Sequence, residues 1–226
     1  MGIIIMLASL MSPAFNALGG AGSLTKSVSD ISSILEQARS YAMGRNTYVY
    51  VGIQEVDDVS PTSSDGIGRV AVAAIASQDG TRPYGNTPSA LTTNLTVISK
   101  ARYFEGLHLT NGASLTRGTN MTGRPGGSAS TILPASIVDL GTNDAVTTFK
   151  WPFPSGTNYH FQKVIEFDPQ GVARIQTNSS YNSSIQSYLE IPLVPVHGNV
   201  AAKTPPANQA SIQINGLTGV VRIYRP

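Results

Sequence analysis

The chain has 226 residues, of which only 12% are charged, with a formal net charge of +2 and no cysteine. Without Cys there is neither a disulfide framework nor a thiolate metal site. The few basic residues form no block of the kind a nucleic-acid surface requires. The composition therefore excludes thiolate metal chemistry and suggests no nucleic-acid surface, and stability must come from the core and from assembly.

Residues 1–18, MGIIIMLASLMSPAFNAL, open a run without a charged side chain before Lys26. No Lys or Arg precedes the apolar block, which argues against a secretory signal peptide. The run is a little shorter than the roughly 20 apolar residues a spanning helix needs. It reads as the far end of an apolar helix, with Ile3, Ile4, Ile5, Met6, Leu7, Leu10, Met11, Pro13, Phe15 and Leu18 as its membrane or filament-core residues. Pro13 and the glycines at 19, 20 and 22 weaken a helix, each glycine by about 1 kcal/mol relative to alanine, so a bend or melted segment is expected there.

A second helical pattern follows. Val28, Ile31, Leu35, Ala38 and Ala42 recur at steps of three and four and make one apolar face. Ser29, Asp30, Ser33, Glu36, Gln37 and Ser40 supply the solvated side. The stripe is expected to pack on a sheet, and Gly44 or Asn46 can supply the left-handed stop.

These features resemble the type IV pilin-like proteins, most closely the minor pseudopilins of the GspH/FimT type. The resemblance lies in the apolar stem ending near Pro13, in the stretch ILEQARSYAMGRN at 34–46, and in a strand directly after it. The prepilin signature of the family, a glycine followed by a phenylalanine and shortly by a glutamate, does not occur. Aligning Pro13 with the family's stem proline places that signature upstream of Met1, so the resemblance implies a sequence that begins inside the stem. It further implies an α+β fold, a long N-terminal helix packed on an antiparallel sheet, with a second small sheet among the strands after residue 160. The expected divisions are 1–22 as stem, 23–46 as the helix packed on the head, and 47–226 as a β-rich head. By the same resemblance the chain is a structural subunit of a pilus-like or type II secretion filament and not an enzyme. Its expected partners are other pilin-like subunits and the inner membrane facing the periplasm before assembly, and no cofactor is implied.

From residue 47 the period changes to two. Residues 47–53 and 69–77 read as strands joined by a polar loop, and 95–104 and 107–109 as further extended pieces. Residues 111–130 have no hydrophobic period and read as a surface loop, with Arg117 and Arg124 as candidate ligand or subunit contacts. Trp151, between Phe149 and Pro152, joins them as a contact candidate. Its neighbouring prolines argue for an edge or a packed loop. Hairpins are expected at 163–176, turning at Asp168–Gly171, and at 210–224, turning at Asn215–Gly219. Residues 188–196 read as an edge strand because of Pro192 and Pro195. His108, His160 and His197 lack metal-site spacing. The alternative function is a membrane-tethered domain that binds a surface ligand or DNA through the 111–130 loop and the Trp151 region, with Arg117, Arg124, Arg222 and Arg225 as the candidates for DNA.

Overall fold

The computed structural model describes all residues except 1, 58–65, 86, 116–120, 122, 126–136, 157–158, 179–184, 197, 199 and 201–206; for residues 2–22 it describes the backbone alone. One helix, α1 (Gly2–Arg45), is followed by eleven strands among the described residues. These are β1 (Val49–Asp57), β2 (Gly68–Ser77), β3 (Leu95–Leu109), β4 (Ile137–Asp139), β5 (Phe149–Trp151), β6 (Tyr159–Phe161), β7 (Lys163–Phe167), β8 (Ala173–Arg174), β9 (Tyr188–Pro195), β10 (Ala210–Asn215) and β11 (Val221–Tyr224). Nine of them form one sheet in the order β11-β10-β9-β3-β2-β1-β7-β8, with β4 added to β9, and β5 and β6 form a separate pair.

The expected class, α+β built on a long N-terminal helix packed on a sheet, is overturned. The molecule is mostly antiparallel sheet, and the helical segment seated against it is short, its buried side chains running from Leu24 to Ala42 among the described residues. The strands after residue 160 do not make a second sheet of their own. β7 pairs with β1 and β9 pairs with β3, so the late strands extend the first sheet on both sides. The small second sheet comes instead from the aromatic strands β5 and β6.

The helix backbone also runs without a break through Pro13 and the glycines. Glycine lowers propensity but keeps its N–H donor, so the hydrogen-bond ladder can continue. The helix ends at Asn46, which takes φ 49°. The Thr47 N–H then reaches the Ala42 carbonyl at 3.0 Å, closing a left-handed cap.

Alternation along β1 sends Val49, Val51 and Ile53 to one face and Tyr50, Gly52 and Gln54 to the other, and all six are buried. The helix covers the first face: Arg102, opposite Val72 in register, donates to Asp30 of α1 at 3.0 Å. Val28, Ile31, Leu35, Ala38 and Ala42 all lie in that core. Strands from both halves of the sheet, β1, β2, β3 and β7 as well as β9, β10 and β11, touch the helix. The sheet is curled far enough that the Ala173 N–H next to one margin donates to the Gly216 carbonyl in the β10–β11 turn at 2.8 Å. Gly219 in that turn has φ 64°, and a Cβ there would run into the Gly171 carbonyl and Arg39.

β9 is an interior strand, not the expected edge, and the geometry shows how it tolerates two prolines. Its Pro192 backbone faces the side where β4 has ended, at Asp139↔Glu190, and β3 pairing begins, at Leu109↔Leu193. Only the Pro192 carbonyl is used there, accepting from Thr110 N–H at 3.1 Å. Pro195 faces the other side, beyond the last β10 pair, Ala210↔Leu193. Each missing donor thus falls in a gap between partners. The two extended pieces at 95–104 and 107–109 merge into the single strand β3, which absorbs three register irregularities against β2.

Candidate functional site

The apolar stem residues Ile3, Ile4, Ile5, Met6, Leu7, Leu10, Met11, Pro13, Phe15 and Leu18 lie on the helix backbone, and their side chains are outside the described residues. No helix among the described residues is long and apolar enough to cross a membrane. Arg117 also lies outside the described residues.

Trp151 stands at the mouth of the clearest apolar groove. Phe149 and Phe161, a cross-strand pair of β5 and β6, press onto Gly52 of β1, where a Cβ would sit 2.5 Å from the Phe149 ring and 2.6 Å from the Phe161 ring. This close approach seats the small sheet on the face opposite the helix. Tyr159 continues the aromatic row, and its hydroxyl bonds to that of Tyr103 on β3. Beyond that contact Trp151, Pro152 and Phe153 overhang Val97, Lys100, Ala101 and Tyr103, leaving a cleft of about 470 Å³. Both the Trp151–Pro152 and Phe153–Pro154 peptides are cis. Trp151 itself is half-buried, with its edge against Phe161 at 6.3 Å between ring centroids. Of the expected edge or packed loop, the structure has an edge at Trp151, the last residue of β5 in a two-stranded sheet, and a turn from Pro152 to Pro154.

Arg124 does not belong to a surface. It is 4% exposed, its Nε donates to Glu190 Oε1 at 2.6 Å, and its Nη2 donates to the Gly112 carbonyl at 3.1 Å. Ser211 and Gln213 of β10 also donate to Glu190. Asp139 holds the neighbouring turn through the Gly112 and Gly141 N–H groups, both at 2.7 Å, and burial pushes its carboxyl up. A guanidinium in a sequence without hydrophobic period is as consistent with a buried ion pair as with a contact, because Glu190, 66 residues away, is what decides it.

A further buried acid, Glu166, lies opposite Tyr50 on the outer face. Glu166 accepts from Arg82 Nη2 at 3.2 Å and from the Tyr84 hydroxyl, and burial raises its carboxyl. Burial, with Glu166 beside them, also drives the Tyr50 and Tyr84 phenols well above the ordinary tyrosine range. Glu55 Oε1 and His108 Nδ1 lie within hydrogen-bond distance at 2.7 Å. Burial lowers His160, with Lys150 adding to the shift. His197 is outside the described residues, and no cluster of metal-ligating side chains occurs among the described ones.

The side chains brought together in these places are ion pairs and aromatic packing. No family model, curated protein or solved structure matches the chain. The pilin resemblance therefore rests on its own residues.

Proposed function

We propose that the chain is a structural subunit of a pilus-like or secretion filament, held in a membrane before assembly and packed through its apolar N-terminal helix afterwards. The observation that carries this reading is the division of α1. Its segment from Leu24 onward is locked into the head, whereas the same helix backbone continues to Gly2 through a sequence with no charge before Lys26. Apolar helices that leave lipid for one another gain little from hydrophobicity itself, so close packing and polar groups such as Ser9, Ser12 and Asn16 would set the register. The head would then be displayed outside a bacterial inner membrane, in a periplasmic or extracellular filament.

The alternative of a tethered domain that binds DNA through Arg117, Arg124, Arg222 and Arg225 is weakened, because the Arg124 charge is already met by Glu190 in the interior. The test is electron microscopy and detergent fractionation of the full chain against Leu7→Asp and Leu10→Asp. Loss of filaments with an unchanged melting temperature of the head supports the proposal. Filaments that persist in both variants overturn it.

A further inference from the structure

The outer face of β9, β10 and β11 carries a second feature that assembly through α1 does not use. Register places Tyr188 opposite Asn215, Gln213 opposite both Glu190 and Arg222, and Ser211 opposite Tyr224. These residues share one face, because the intervening Leu189, Ile191, Ile212 and Ile214 are fully buried in the helix-side core. Together Tyr188, Gln213, Asn215, Thr218, Arg222 and Tyr224 line a pocket of about 270 Å³, closed at one end by Val220.

Its lining combines one guanidinium with amide and hydroxyl groups. Arg222 is exposed, is the pocket's one charged lining residue, and has no acidic partner among the described residues. Asn215 Oδ1 is occupied by the Thr218 N–H at 2.9 Å and hydroxyl at 3.0 Å, which turns the Asn215 amide N–H groups away from them. Gln213 is 1% exposed, and its Nε2 donates to the Pro125 carbonyl at 3.0 Å and to Glu190 Oε1 at 3.1 Å. Because both partners are acceptors, the amide cannot be flipped, and Oε1 is left as a buried acceptor without a partner among the described residues. Such a group ordinarily finds a donor from water or a ligand.

We propose that this pocket binds an acidic sugar unit, a hexuronate. A carboxylate would meet Arg222, and a ring hydroxyl would donate to Gln213 Oε1. The C–H faces of the ring would lie between the Tyr188 and Tyr224 rings, which combine an apolar body with a polar tip. The volume suits a single ring, being below the usual range for larger ligands. A cation would oppose Arg222, a purely apolar ligand would leave the Gln213 carbonyl unpaired, and a bare phosphate would leave the tyrosine rings unused.

The pocket lies in the head, so this inference does not depend on filament formation. The test is titration of the detergent-solubilised full chain with galacturonate and digalacturonate, followed by calorimetry and by amide shifts in β9–β11. Maltose, inorganic phosphate and single-stranded DNA serve as comparators. Saturable uronate binding that Arg222→Gln and Gln213→Leu each weaken at least tenfold, with maltose bound at least tenfold more weakly, is the expected result. The melting temperature of Arg222→Gln should stay that of the parent, since the side chain is exposed. Absence of saturable uronate binding, equal or tighter binding of phosphate or DNA, or indifference to Arg222→Gln would overturn the assignment. In the first case the Gln213 carbonyl is a water site.

Discussion

The two faces of the sheet are buried by different means. On the helix side, Val49, Val51 and Ile53 meet a stripe of Val, Ile, Leu and Ala from one short helical segment. On the outer side, Tyr50, Gly52 and Gln54 are covered by aromatic rings of β5 and β6, by Tyr84, and by polar bonds such as Gln162 N–H to Gln54 Oε1 at 3.1 Å. The first face is stabilised by apolar area, which tolerates changes of shape when volume is kept. The second relies on particular ring contacts and hydrogen bonds, and a single deletion there leaves a buried partner without its mate.

That difference sets the order of expected effects. Arg124→Ala strands Glu190, which is 3% exposed, and should cost about 3–5 kcal/mol in chemical denaturation, the range for breaking a buried ion pair. Leu35→Ala on the helix side should cost about 3 kcal/mol by loss of transfer energy and creation of a cavity. If Leu35→Ala proves the more damaging of the two, the contrast between the faces fails.

Gly52→Ala tests the seating of the small sheet. Its new methyl meets two phenyl rings at less than 3 Å, so a loss of about 1–3 kcal/mol is expected, with a change in near-ultraviolet circular dichroism from Trp151. An unchanged aromatic spectrum would show that the rings give way freely.

Acidity sharpens the comparison further. Burial raises the carboxyls of Glu55, Asp139 and Glu166 above their ordinary values of 4.5, 3.8 and 4.5. An acid with a raised folded value binds a proton more readily folded than unfolded. Its contribution is therefore complete below the ordinary value and is lost as pH rises through the raised one. Thermal stability should therefore increase as pH falls from neutrality toward those ordinary values. Asp79 acts in the opposite sense: hydrogen bonds, first from the Thr81 hydroxyl, lower it below 3.8, so its contribution is present above that value and lost as pH falls further. A melting temperature that falls steadily between pH 7 and 5 would contradict this account. The smallest effect belongs to Glu105→Gln, which removes the exposed pair with Arg69 at 3.2 Å and should change stability by about 0–1 kcal/mol.

The sequence by itself determined the local elements. The helix stripe from Val28 to Ala42, the Asn46 stop, the β7–β8 and β10–β11 turns, and the strand character of β1 and β2 all follow from spacing and turn chemistry within about twenty residues. Tertiary structure alone decided how those elements were shared out. Whether Pro192 sits in an edge or an interior strand depended on the gap between β4 and β3, and neither is near it in sequence. Whether Arg124 was a contact or a buried cation depended on Glu190, and whether the late strands made a new sheet depended on β7 finding β1 and β9 finding β3. The Tyr188–Gln213–Arg222 pocket had no signal in the chain at all, because three strands must first fall into register before those side chains share a face. Periodicity reports which side of an element is apolar, and the partner that buries it is chosen by competition among all the apolar faces at once.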